Sequence, residues 1–119
     1  MSDLFGTSGV RGRTNARVTP ELAIDIAKAV GTELSEETGN FLIGRDARYG
    51  GEMLLDALIS GFMSVGCSVE DIGIVPTPVV CYSVRESRSD GGIVITASHN
   101  PPEDNGLKVI ESSGTTLSP

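Results

Sequence analysis

The sequence predicts an α/β fold: a three-layer α/β/α sandwich over residues 1–119, around a mixed, mostly parallel sheet of about four strands, a common size for a small sheet. Two observations carry this. Short apolar, β-rich runs alternate along the chain with longer segments whose apolar residues recur at helical spacing. Thr-Pro pairs stand at the head of the first and third helical segments, and glycines close the first and second.

The elements follow in order. Met1–Arg17 is rich in Gly, Ser, Thr and Arg, with Phe5 and Val10 as its apolar points, and reads as a short strand entering a loop. Thr19-Pro20 is a helix start, since Thr caps and Pro is tolerated at the first helical position. Leu22, Ile26, Val30 and Leu34 then form one stripe with Ala23 and Ala27 beside it, and Gly39 ends the unit. Phe41-Leu42-Ile43-Gly44 reads as a buried strand, with Arg45-Asp46 leaving its carboxyl end. Leu54, Leu55, Leu58, Ile59 and Phe62 place a second helix over about Glu52 to Val65, capped by Gly66. Val69 to Val75 is a strand. Pro76-Thr77-Pro78 starts a third helix, with Thr77 expected as its cap and Val80 and Val84 facing inward. Gly91 to Ala97 is the next strand, and Leu107 to Ile110 pairs with it.

Composition limits the function. The net charge is −7, and only nine Lys and Arg residues are present, scattered along the chain. Nucleic-acid binding draws its affinity from basic side chains on phosphates, so this balance excludes that class. A local cation cluster can still hold a phosphate, because salt screens distant charges beyond about 8 Å. Cys67 and Cys81 read as buried thiols rather than a disulfide framework, and no Cys/His spacing suggests zinc. A basic leader followed by a long apolar run is missing, as is a span-length apolar stretch. The expectation is a cytoplasmic protein with no membrane partner.

Ligands of open α/β sheets gather beyond the carboxyl ends of strands. The segment Thr96–Lys108 lies there. Pro101 biases Asn100 away from helical dihedrals, and Pro101 and Pro102 fix the backbone. Asn105-Gly106 is a turn signal expected to send the chain back. The loop should be stiff and should hold Ser98 outward. A phosphate on Ser98 would carry about −1.5 to −2 charges and need donors or cations nearby. His99 and Lys108 could supply charge or move protons, and the loop amides could form an anion nest. A serine-hydrolase reading lacks the G-x-S-x-G elbow.

Thr96–Pro101, T-A-S-H-N-P, followed by N-G-x-K at Asn105–Lys108, resembles the phosphoserine loop of the α-D-phosphohexomutase family of phosphoglucomutases, phosphomannomutases and phosphoglucosamine mutases. Phe5–Gly12, F-G-T-S-G-V-R-G, resembles that family's N-terminal active-site loop. Gly44–Arg48, G-R-D-A-R, and Pro76–Pro78, P-T-P, resemble further landmarks in the expected order. The resemblance implies domain I of four, with the remaining three domains outside this chain. It implies that phosphorylated Ser98 relays a phosphoryl group between the 1- and 6-positions of a hexose phosphate through a hexose 1,6-bisphosphate. Lys108 would be a general acid/base or phosphate partner, and His99 would orient or protonate reacting oxygens. Arg11 would reach the phosphoryl group, with Thr7 and Ser8 shaping its loop and Asn100 among the phosphate-binding residues. Mg²⁺ would bind an oxygen of the phosphate on Ser98, sharing an Asp-rich loop that this chain lacks.

Structural roles are expected for other landmark residues: an ion pair between Arg45 and Asp46, and a plain turn at Asn105-Gly106. Tyr49-Gly50-Gly51 departs from the family, which often has a Ser after Arg48. By itself the domain is expected to be inactive and to be capable of self-association through surface its neighbours would cover. The alternative is a non-catalytic phosphate-binding or interaction module.

Overall fold

A computed structural model describes residues 9–36 and 38–117. Its elements run β1 (Val10–Arg13), α1 (Pro20–Leu34), β2 (Asn40–Arg45), α2 (Gly51–Ser64), β3 (Ser68–Ile74), α3 (Thr77–Ser87), β4 (Gly91–Ile95) and β5 (Asp104–Glu111). The five strands form one sheet in the order β1-β5-β4-β2-β3. β2 pairs in parallel with β3 and β4, while β5 is antiparallel to both β4 and β1. β1 therefore points the same way as β2, β3 and β4, and β5 alone is reversed. The strand count is five rather than about four because the N-terminal segment and the returning segment both join the sheet.

The pleat of the central strands sorts their side chains into two cores. Phe41, Ile43, Ile93, Ile95, Leu107 and Val109 face one side, where Ile26 of α1 and Leu54, Leu58 and Phe62 of α2 cover them. Leu42, Val94 and Ile110 face the other side, against Val80 and Val84 of α3. These are the three layers expected. Phe41 and Phe62 stack with ring centroids 4.6 Å apart. Gly61 lets the two helices of the first layer touch, since a Cβ there would lie 2.7 Å from the Ile24 carbonyl oxygen.

The helix starts differ from one another. Thr19 caps α1 by accepting from the Leu22 amide at 3.1 Å. Thr77 does not cap α3: Pro76 takes the cap position, Thr77 is the first helical residue, and no side chain caps the end. α2 ends as expected, with the Gly66 amide donating to the Met63 carbonyl at 3.0 Å. Cys67 and Cys81 are free thiols. No helix among the described residues is long and apolar enough to cross a membrane.

Candidate functional site

The carboxyl ends of β1, β2 and β4 lie at one edge of the sheet, and the loops leaving them meet there. Asp46–Tyr49 leaves β2 and Thr96–Glu103 leaves β4. Thr14, just past β1, donates its amide to the Glu103 carbonyl at 3.1 Å. The local sequence explains the second loop's shape. The Asn100 amide donates to Ala97 and the Asp104 amide to Pro101, each at 3.0 Å, so two short turns reverse the chain.

The reversal is therefore complete before Asn105-Gly106, which is not the turn its sequence suggests. Asn105 and Gly106 lie inside β5, opposite Gly12 and Arg11. Asn105 is fully buried, and its amide group donates to the Tyr49 carbonyl at 3.1 Å. Burial with a fixed partner outweighs the dipeptide's local turn preference.

Ser98 and His99 are exposed, and Asn100 is partly buried. Ser98 has φ of 54°, in the left-handed region. Such a backbone costs a non-glycine residue about 1–2 kcal/mol unless its surroundings hold it. Arg11 of β1, separated from β4 by β5 in the sheet, reaches across to this loop. Its Nη2 lies 3.4 Å from Ser98 Oγ, and its Nη1 donates to Asn100 Oδ1 at 3.2 Å. Its Nε is buried and has no hydrogen-bond partner among the described residues.

Lys108 is placed by strand register. Arg11 faces Gly106 across the β1–β5 pair, and Lys108 stands two residues further along β5, opposite Val94. Period-two alternation puts Arg11 and Lys108 on the same side of the sheet, the α3 side. Lys108 is partly exposed. Its side chain makes no hydrogen bond or ion pair with a described residue, so it does not touch Ser98 as Arg11 does. His99 likewise has no polar partner among the described residues. Thr7 and Ser8 lie outside the described residues. The loop offers no run of free amides for an anion nest, because Ser98 N–H and Asn100 N–H are already bonded and two prolines follow. Positive charge beside Ser98 Oγ comes from Arg11.

The most connected residue of the site is one that sequence reasoning treated only as part of a landmark. Arg48 donates through Nη1 to the carbonyls of Asn100 at 2.9 Å, Pro101 at 2.8 Å and Asp104 at 3.3 Å. Its Nη2 donates to the Ser98 carbonyl, and its Nε to Asp46 Oδ2 at 3.2 Å. Asp46 Oδ2 also accepts from Thr96 Oγ1 at 2.7 Å, and Thr96 Oγ1 accepts from the Ser98 amide at 3.0 Å. The ion pair at this strand end is thus Asp46–Arg48. Arg45 turns instead to the exposed Glu52, at 3.7 Å. The two arginines diverge because the carbonyls of the Ser98 loop converge on Arg48, which supplies five donors in a plane.

An open groove of about 460 Å³ lies against this loop, lined by Asp46, Ala47, Arg48, Tyr49, Asn100 and Pro102. No group of three or more His, Cys, Asp or Glu gathers anywhere among the described residues. Asp46 is committed to Arg48 and Thr96, and Asp104 accepts from Asn100 Nδ2 at 3.2 Å. Mg²⁺ favours carboxylate oxygens in octahedral array, and these residues do not form one.

Residues 2–119 match the family model described as phosphoglucomutase/phosphomannomutase, alpha/beta/alpha domain I. The chain is 52% identical to a phosphoglucomutase/phosphomannomutase of Thermococcus kodakarensis over 98% of its own length and 26% of that protein's. It is 48% identical to a phosphoglucosamine/phosphogalactosamine mutase of Sulfurisphaera tokodaii, again over 98% of this chain and 26% of the relative. The crystal structure of a phosphoglucomutase/phosphomannomutase family protein from Burkholderia thailandensis superposes with a TM-score of 0.85 at 30% identity, covering 98% of this chain and 28% of that one. The chain spans about a quarter of the length of the curated relatives it matches.

Proposed function

Because this chain belongs to the phosphoglucomutase/phosphomannomutase family, as its α/β/α domain I, we propose that it carries the phosphoryl-relaying serine of a hexose-phosphate mutase, and that this serine is Ser98. One observation carries the reading: an exposed hydroxyl on a left-handed bend at the carboxyl edge of the sheet, with the Arg11 guanidinium 3.4 Å from its oxygen. Phosphoryl transfer asks a protein mainly for positioning and for charge beside the transferring oxygens, and this corner supplies both.

The relay has two balanced halves. In the first, the bond from Ser98 Oγ to phosphorus breaks as a hydroxyl oxygen of a hexose monophosphate bonds to phosphorus. The hydroxyl proton leaves to a base, and Ser98 returns to its alcohol once protonated. The product is a hexose bisphosphate. In the second, that molecule presents its other phosphate: the Ser98 hydroxyl gives its proton to a base as Oγ bonds to phosphorus, the bond from phosphorus to the sugar oxygen breaks, that oxygen takes up a proton, and the isomeric hexose monophosphate leaves. Arg11 stabilises charge on the phosphoryl oxygens throughout. His99, beside Ser98 and open to solvent, and Lys108, on the same side of the sheet as Arg11, are the candidates to hold and return the proton. Asn100 fixes the Arg11 guanidinium through its side-chain oxygen.

Mg²⁺ at the phosphate on Ser98 would have to draw its carboxylates from residues other than those described here. For the same reason, residues 1–119 by themselves are expected to convert hexose 1-phosphates to 6-phosphates negligibly.

The test is phosphosite mapping of the full-length protein, together with Ser98→Ala. The expected result is a single phosphate on Ser98, labelled by radioactive glucose 1,6-bisphosphate, with label and mutase turnover both lost in the alanine variant. Phosphate on another residue, or undiminished turnover in Ser98→Ala, would overturn the assignment.

A further inference from the structure

Both backbone groups of Ser98 are tied into one closed circuit. Its amide donates to Thr96 Oγ1, which donates to Asp46 Oδ2, which accepts from Arg48 Nε; Arg48 Nη2 then returns to the Ser98 carbonyl. The circuit bonds the backbone of Ser98 and not its hydroxyl, which Arg11 approaches instead. The Arg48 side chain is only 14% exposed, and its remaining donors hold the carbonyls of Asn100, Pro101 and Asp104.

We propose that Arg48, with Asp46 and Thr96, is the positioning device that sets the direction of the Ser98 hydroxyl by locking its backbone in the left-handed bend. This inference rests on the reading of Ser98 as the phosphoryl carrier. Arg48 touches neither the hydroxyl nor a transferring group, so its effect on the reaction is exerted through the backbone of Ser98.

The chemistry requires a guanidinium. Several carbonyl oxygens converge on one side chain, and a carboxylate meets its edge. A lysine ammonium is a point donor on a flexible stem and cannot span that set. Loss of the guanidinium would remove the one donor group that these four loop carbonyls share, and the loop would relax toward right-handed or extended dihedrals for Ser98. Relaxation swings the hydroxyl away from Arg11. It leaves untouched the groups on Arg11 and Lys108 that would meet a substrate phosphate.

The test compares Arg48→Lys, Thr96→Val and Thr96→Ser in the full-length protein, with glucose 1-phosphate and glucosamine 1-phosphate as probes. Misplacement of a reacting group by about 1 Å can cost roughly 100-fold. Arg48→Lys and Thr96→Val should therefore lower kcat by about that factor. KM should stay within about threefold, because uniform binding is preserved. Thr96→Ser keeps the hydroxyl and should restore kcat to near the parent value. Hydrogen exchange at the Ser98 amide should accelerate about tenfold or more in the two impaired variants, as a local opening becomes easier.

Parental kcat in both impaired variants, a loss confined to KM, or a Thr96→Ser variant as slow as Thr96→Val would each overturn the proposal. Thr96→Val carries the test if Arg48→Lys does not fold. Failure of the underlying reading looks different. In that case the parent protein carries no phosphate on Ser98, while the exchange measurement still reports whether the circuit holds the bend.

Discussion

Asn105 Nδ2 donates to the Tyr49 carbonyl over 3.1 Å, joining the strand that returns from the Ser98 loop to the chain that leads into α2. The same side chain turns its oxygen to the Gly106 amide at 2.9 Å. Asn105 is fully buried, so its amide has no access to water. Asn105→Ala takes the side-chain acceptor from the Gly106 amide in a buried bond, takes a donor from the Tyr49 carbonyl and leaves a small void. The expected cost is about 1–3 kcal/mol, the usual penalty for a buried polar group deprived of its partner. Urea denaturation of the two proteins measures it as a lower midpoint at unchanged slope.

That residue also shows where the sequence ceases to be legible. The helices are readable because Leu22, Ile26 and Val30, or Leu54, Leu58 and Phe62, repeat with the period of the helix itself, and burial enforces the same period. β2 and β4 are readable for the related reason that both their faces are covered, which demands apolar runs. Ser98 and Arg11 are recognisable as candidate site residues through motifs that resemble the family's. Asn105-Gly106 misleads because its turn preference is local, whereas the Tyr49 carbonyl it meets is distant in sequence. Arg48 is understated for a further reason. Its partners beyond Asp46 are backbone carbonyls, which exist at every residue and leave no mark in residue type. Thr77 repeats the Thr-Pro pair of Thr19 but is shifted by one position relative to its helix, so its hydroxyl finds no amide to cap.

Gly106 lies between two backbones that leave no space for a methyl group. A Cβ there would lie 2.6 Å from the Val10 carbonyl oxygen and 2.7 Å from that of Thr96. Neither is the free end of a side chain, so a strand must move. Gly106→Ala should destabilise the protein by about 1–3 kcal/mol, as overpacking of a closed site does. The displaced strand is β1 or the start of the Ser98 loop, so mutase turnover of the full-length protein should fall by more than the lost stability explains. Parallel thermal unfolding and activity assays check both effects.

The two Thr-Pro helix starts make a matched pair. Thr19→Ala removes a hydroxyl that accepts from the Leu22 amide at 3.1 Å, and should cost about 1 kcal/mol. Thr77→Ala removes a hydroxyl with no capping bond, and should stay within about 0.5 kcal/mol of the parent. Chemical denaturation of the two single variants distinguishes them; equal losses would contradict the cap geometry.

Arg11 is held at its tip by Asn100 Oδ1 and directed at Ser98 Oγ, while its Nε is buried without a partner among the described residues. A phosphoryl group on Ser98 would place anionic oxygens within the reach of this guanidinium. Removing one preorganised donor from a transition-state anion typically costs about 100- to 1,000-fold in kcat. Arg11→Ala should lose that much in the full-length protein. Arg11→Lys should recover only part of it, because an ammonium cannot bond Asn100 and the phosphoryl oxygens in one plane. Asn100→Ala frees the guanidinium without removing its charge and should therefore fall between the parent and Arg11→Ala. Steady-state turnover of glucose 1-phosphate by the three variants tests the order; a kcat in Arg11→Ala equal to the parent's would mean that the charge beside Ser98 plays no part in the transfer.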